Sequence, residues 1–182
     1  MSEPPGTIAS RRVYSGRVLD LDLDTVRYPD GGSGELEMIR HPGAAAVVPV
    51  VRGGADPEIL LIRQYRYAAG GFIWEVPAGR LDRAEAPEAC ARRELLEEAG
   101  MHAARFEKLT SIYTTPGFTD ERIHLYAAFD LTPGEHRREP DEFLEVVQLP
   151  LSRILGLIRT GEVVDGKSIV ALLFFARFGL GL

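Results

Sequence analysis

Between Gly79 and Met101 the chain reads GRLDRAEAPEACARRELLEEAGM. Three glutamates in it, Glu94, Glu97 and Glu98, stand at i, i+3 and i+4. On a helix that spacing puts all three carboxylates on one face, where like charges cost an isolated helix roughly 0.2–0.5 kcal/mol per pair. A solvated charged face accounts for the triplet when it stands alone. A hard divalent cation, which takes oxygen ligands, would turn the repulsion into attraction. Arg93, four residues before Glu97, can hold one carboxylate in place.

The element that must carry these acids is legible around them. From Ala84 to Ala99 most residues are strong helix formers, and Pro87 sits where a first helical turn tolerates it. Gly100 fits a helix C-cap. A helix over about 86–99 is predicted, reached by a loop that starts at Gly79. Ala89, Leu95, Leu96 and Ala99 point away from the acids and are expected to pack on a core.

The whole stretch is a G-x5-E-x7-R-E-L-x-E-E-x-G-M pattern. It resembles the Nudix box of the Nudix hydrolases at Gly79, Glu85, Arg93, Glu94, Leu95, Glu97, Glu98, Gly100 and Met101, with no departure. The resemblance implies an α/β/α sandwich around a mixed sheet and metal-assisted cleavage of a diphosphate. It assigns Glu94 and Glu98 as ligands of Mg²⁺ or Mn²⁺, with Glu97 as a further ligand or a group behind them. The backbone carbonyl of Ala78 is a metal ligand on the same grounds, and two or more ions per site are expected. Arg93 and Glu97 are placed with the catalytic groups. Gly79, Glu85 and Gly100 are read as structural, Glu85 being a hydrogen-bond acceptor for the box loop.

Motifs outside the box narrow the resemblance. Arg63-Gln64-Tyr65-Arg66, Trp74-Glu75-Val76-Pro77-Ala78-Gly79 and the loop Thr115-Pro116-Gly117-Phe118-Thr119-Asp120-Glu121 are similar to segments of the ADP-ribose pyrophosphatase subfamily. The likeness covers most of the chain, from about Arg11 to Leu173. It implies hydrolysis of ADP-ribose to AMP and ribose 5-phosphate. Another nucleoside diphosphate sugar, such as GDP-mannose, is the alternative substrate, and a non-catalytic nucleotide-sensing module is the alternative of another class. Arg66, Glu75, Gly117 and Phe118 are the substrate-binding candidates. Arg66 leads them, because a guanidinium can bind two phosphate oxygens at once.

Hydrolysis also needs a general base. In the subfamily it commonly lies on a loop before a late strand. Glu139-Pro140-Asp141-Glu142 occupies that place here. Glu142 is the first choice, with Glu139 and Glu145 in reserve. Tyr14, Tyr28 and Phe118 remain open as the aromatic that stacks on the base.

Composition sets the outer bounds. The chain has 182 residues and a formal charge of −6, without a Lys/Arg-rich run, so nucleic acid is not an expected partner. Cys90 is the one cysteine, which excludes an intrachain disulfide, and it reads as a small residue in a reducing compartment rather than a nucleophile. MSEPPGTIAS lacks the apolar centre of a signal peptide. The longest apolar run, Ile169 to Ala176, is too short to span a bilayer. A cytoplasmic protein with no membrane partner is expected.

In chain order, residues 1–10 are expected to be flexible. Val13-Tyr14, Gly16 to Leu19, Leu21 to Val26 and Glu35 to Arg40 read as an antiparallel meander. Ala44 to Val51 reads as a fully buried strand, paired with Glu58 to Tyr65. Residues 68–72 form a loop. Phe106 to Tyr113, Ile123 to Leu131 and Phe143 to Leu149 are further strands, and Pro150 to Thr160 and Ser168 to Phe178 are helices. The fold class is α+β, as an α/β/α sandwich. Residues 1–43 form an N-terminal meander extension and 44–182 the Nudix domain. The resemblance implies a homodimer in which the meander is exchanged.

Overall fold

Every residue from Ala44 to Val50 is buried, as expected of a central strand covered on both faces. The computed structural model describes residues 4–135 and 143–179. In order these form β1 (Gly6–Ser15), β2 (Asp20–Arg27), β3 (Ser33–Arg40), β4 (Ala44–Arg52), β5 (Glu58–Arg66), β6 (Gly71–Glu75), β7 (Ala78–Arg80) and α1 (Pro87–Ala99). They continue as β8 (Met101–Tyr113), β9 (Arg122–Pro133), β10 (Leu144–Pro150), α2 (Leu151–Thr160) and α3 (Gly166–Phe174). The chain divides into two compact units. One contains the described residues up to Gly43 with Tyr113–Arg122, and the other contains Ala44–Ile112 and the described residues from Ile123 on.

The larger unit is built on a mixed sheet in the order β10-β5-β4-β9-β8, with β6 paired to β5 and β7 to β4. β4 runs parallel to β9, from Ala44 opposite Ile123 to Pro49 opposite Ala128. Its partners β5 and β7 are antiparallel to it. The pleat sends alternate β4 side chains to opposite faces. Ala45 and Val47 meet Cys90, Ala91, Leu95 and Ala99 of α1. Ala46 and Val48 join the cluster of Ile154 from α2 and Ala171 and Leu172 from α3. Helices therefore cover both faces of one mixed sheet, as the α/β/α expectation required.

The smaller unit holds the antiparallel sheet β1-β2-β3. Its buried Asp22 and Asp24 lie on β2 between Arg12 of β1 and Arg40 of β3. The Arg12 hydrogen bond holds the Asp22 carboxyl below its ordinary value. In the segment Tyr113–Arg122, the Phe118 carbonyl accepts the Ile39 N–H at 2.8 Å, and Asp120 Oδ1 accepts the His41 N–H at 2.8 Å. The sequence division at Gly43 assigns that segment to the second part.

Several local expectations need correction. Gly6–Ser10 is strand, because backbone pairing with Asp24–Arg27 orders a stretch that lacks apolar alternation. Residues 16–19 form no strand but a turn, closed by Gly16 N–H donating to the Leu19 carbonyl at 3.0 Å. Residues 67–69 form one 3-10 turn, and β6 begins at Gly71 inside the expected loop. β8 starts at Met101, directly after the Gly100 cap, rather than at Phe106. α3 starts two residues early and passes at Phe175 into a π-helical turn over Phe175–Gly179. Ala89 of α1 is exposed, and Cys90 and Ala91 take the core positions instead. Among the described residues no helix is long and apolar enough to cross a membrane.

Candidate active site

The three small residues Ala44–Ala46 of β4 receive β7, with Ala46 opposite Ala78 and Ala45 opposite Gly79. Val47 N–H donates to the Pro77 carbonyl at 2.9 Å and extends that join. The box loop then closes on itself. Glu85 N–H donates to the Asp82 carbonyl at 3.0 Å, and Asp82 N–H donates to Glu85 Oε2 at 2.9 Å. Pro87 starts α1, and Gly100, at φ +65°, ends it with its N–H on the Leu96 carbonyl at 3.0 Å.

α1 does not leave its acids in water. Glu94 is 7% exposed and Glu98 2%, whereas Glu97 is half-buried. Buried carboxylates are costly unless hydrogen-bonded or paired with charge. Arg93 supplies much of that pairing. Its Nη1 donates to Glu94 Oε1 at 2.6 Å and Glu97 Oε2 at 3.0 Å. Its Nε and Nη2 hold the two Glu85 oxygens at 3.0 Å each, and Nη2 also reaches the Arg80 carbonyl at 2.9 Å. One guanidinium thus gathers three box carboxylates, where the spacing suggested one. Its hydrogen bonds hold Glu85 below the ordinary carboxylate value against an opposing push from burial. Glu98 points elsewhere, with Oε2 accepting the Ala78 N–H at 2.8 Å.

Gly79 makes room for this arrangement. A Cβ there would stand 1.9 Å from Glu94 Oε1 and 2.2 Å from its carboxyl carbon. The glycine lets a carboxylate lie against the backbone beside Ala78. The donors are all oxygen, and two of the acids are buried, which suits a hard divalent cation. As placed, no three Asp, Glu, His or Cys side chains among the described residues converge into a cage. Glu94 and Glu97 are paired with Arg93, and Glu98 accepts the Ala78 N–H.

A second cluster adjoins these acids. Arg66, at the end of β5, grips Glu75 in a fork, Nε to Oε1 and Nη2 to Oε2 at 2.8 Å each. The hydrogen bonds that Arg66 donates to Glu75 do most to keep it protonated, and the charges of Glu98 and Asp165 add to this. Glu75 is 2% exposed; burial alone would raise its carboxyl, but Arg66 and Lys167 together hold it below the ordinary value. Lys167 Nζ lies 2.9 Å from Glu75 Oε2 and 3.0 Å from Asp165 Oδ2. Sequence reasoning named Arg66 and Glu75 but missed Lys167, Asp165 and Ser168. Asp165 before an apolar run is a helix-start signal. Nothing local told that this helix start meets β6.

The remaining candidates belong to other elements or lie outside the described residues. Gly117 and Phe118 are exposed in the segment of the smaller unit. Glu142 and Glu139 lie outside the described residues. Glu145 is exposed on β10, where it lines a cavity of about 330 Å³ with Arg63, Phe72, Phe143 and Leu144. Cys90 is buried under the box with Sγ 3.4 Å from the Gly79 and Arg80 carbonyls. Burial pushes its thiol up to about 12, so it is protonated and a poor nucleophile at neutral pH.

The chain is 40% identical to an ADP-ribose pyrophosphatase of Bacillus subtilis, over 91% of this chain and 89% of that protein. It is 38% identical to a methanol dehydrogenase activator of Bacillus methanolicus, again over 91% and 89%. A GDP-mannose pyrophosphatase of Citrobacter koseri is 38% identical over 63% of this chain and 64% of its own length. Among solved structures, an ADP compounds hydrolase superposes with a TM-score of 0.82 over 100% of this chain and 98% of that one; at 22% identity this shows the shared fold. The NUDIX domain pattern matches residues 40–172, the span that holds the box acids and both gripping clusters, and the chain belongs to the Nudix family.

Proposed function

We propose that this protein is a divalent-metal-dependent pyrophosphatase that adds water across the diphosphate of ADP-ribose, giving AMP and ribose 5-phosphate. The observation that carries the reading is the pair of buried acids Glu94 and Glu98 set against Ala78 and Gly79. The similarity to the Bacillus subtilis ADP-ribose pyrophosphatase supports the substrate. Glu94, Glu98 and the Ala78 carbonyl would hold Mg²⁺ or Mn²⁺, with Glu97 as a further ligand. Two or more ions so bound would neutralise diphosphate charge and make a water acidic.

The chain's own residues do the rest. Arg93 keeps the acids paired and oriented before substrate arrives. Arg66 binds a phosphate through the edge that Glu75 does not use. Glu142 takes the proton of the attacking water, with Glu139 and Glu145 in reserve. Gly117 and Phe118 contribute to holding the nucleotide sugar.

A homodimer with residues 11–43 exchanged belongs to the same proposal, together with a cytoplasmic location. Its support is β1, exposed along its whole length and carrying Ile8, Val13 and Tyr14 into solvent. Deleting residues 11–43 is expected to give an unstable or monomeric chain with weakened substrate binding. A soluble, fully active monomer in sedimentation would defeat the exchange.

GDP-mannose is the second reading, supported by the Citrobacter koseri relative. A non-catalytic sensing module fits less well, because every box carboxylate is present. Measuring kcat/KM for ADP-ribose, GDP-mannose, diadenosine polyphosphates and NADH, with Mg²⁺ and with Mn²⁺, decides among these. ADP-ribose is expected to lead; a higher value for GDP-mannose would replace the substrate, and no turnover of any would leave only the sensing module.

A further inference from the structure

The first turn of α3 grips Glu75, the last residue of β6, and Val76 directly after it. Lys167 Nζ donates to Glu75 Oε2 at 2.9 Å. Ser168 Oγ accepts the Val76 N–H at 2.8 Å. Both are fixed by Asp165, the α3 N-cap: its Oδ2 takes Lys167 Nζ at 3.0 Å, the Ser168 N–H at 3.0 Å and Ser168 Oγ–H at 2.5 Å. Val76 leads through Pro77 to Ala78, whose N–H holds Glu98. The helix start is therefore joined by hydrogen bonds to the residue that orients Arg66 and by two peptides to the residue that orients a box acid.

Arg66 uses only one edge on Glu75. Its Nη1 has no hydrogen-bond partner among the described residues, and its side chain is 41% exposed. A carboxylate turns easily about its last torsion, which is broad and two-fold. The two cations on Glu75 restrict that rotation. Lys167 is 14% exposed, with a carboxylate on each of two donors, so it is placed to steady Glu75 rather than to meet substrate.

We propose that Lys167 is a positioning residue for substrate binding: by fixing the plane of Glu75 it holds the Arg66 guanidinium with its Nη1 edge ready for a phosphate of the nucleotide sugar. This rests on the reading of Arg66 as the phosphate grip. Lys167 then acts only through Arg66, and its loss is felt in substrate affinity. A purely structural lysine would lower the melting temperature without selecting KM.

The test is a double-mutant cycle on the full chain with ADP-ribose and saturating Mg²⁺, using Lys167→Met, Arg66→Gln and both together. Lys167→Met is expected to raise KM by about tenfold or more with kcat within about threefold, the mark of lost binding rather than lost chemistry. Lys167→Arg is expected to restore most of that KM. The double variant is expected to be no worse than Arg66→Gln alone. If Lys167→Met folds poorly, Lys167→Gln, which keeps a donor but no charge, carries the same comparison. A normal KM in the lysine variants beside a raised KM in Arg66→Gln, or losses that multiply in the double variant, overturns the positioning role and leaves the phosphate grip standing. An unchanged KM in Arg66→Gln overturns both.

Discussion

Glu98 Oε2 accepts the backbone N–H of Ala78 at 2.8 Å, which ties the last acid of α1 to the first residue of β7. The bond sets a buried carboxylate against the residue whose carbonyl is proposed as its fellow ligand. Glu98→Gln keeps the size and an acceptor for that N–H but removes the charge. Without metal the variant is expected to fold at least as stably as the native chain, since a neutral group is easier to bury. Its activity should fall by about 10³-fold or more, because charge stabilisation by the ion is worth several kcal/mol and each ~1.4 kcal/mol is tenfold. Near-normal turnover at saturating Mg²⁺ would take Glu98 out of the metal site.

Gly79→Ala tests the cradle. The new Cβ would fall 1.9 Å from Glu94 Oε1, so the carboxylate must move. Since the displaced atoms end a flexible side chain, the fold should survive, with a small change in melting temperature. Metal affinity, read by titration of activity with Mg²⁺, is expected to weaken by about 10- to 100-fold, the usual scale for disturbed ligand orientation. Unchanged affinity would show that Glu94 can bind from elsewhere.

The base is tested by comparison. Glu142→Gln is expected to lower kcat by roughly 10²- to 10⁴-fold, with KM and metal affinity little changed. Glu145→Gln, on β10, should cost much less. A severe loss in the Glu145 variant beside a nearly normal Glu142 variant would move the base to the strand.

Glu75 makes a pH prediction with a definite sign. Its carboxyl is held below the ordinary 4.5 by Arg66 and Lys167, which outweigh burial. Below 4.5 the unfolded chain therefore binds more protons at this site than the folded one, and stability rises with pH. The stability difference between native protein and Glu75→Gln should be full at neutral pH and hold down to about 4.5. It should shrink as pH falls further, through the folded value. Urea denaturation of both proteins across that range reads it; a difference that stays constant into strong acid would show that folding does not lower the Glu75 carboxyl.

The helix α1, its cap and its acids were legible because their signals are local. Pro87, Gly100 and the 3–4 spacing of Glu94, Glu97 and Glu98 act within a few residues of one another. The buried strand β4 was legible for the same reason, as an unbroken apolar run. What the sequence could not determine was which distant groups would answer those charges. Arg93 gathers Glu85 as well as its helical neighbours only because the box loop folds back on α1. Lys167 meets Glu75 across 92 positions because α3 packs on the sheet face opposite α1 and brings its first turn to the end of β6. Helix starts and amphipathic faces follow from short-range sterics and hydrogen bonding, whereas the pairing of buried charges is decided by how layers stack, and that is fixed only when the whole core closes.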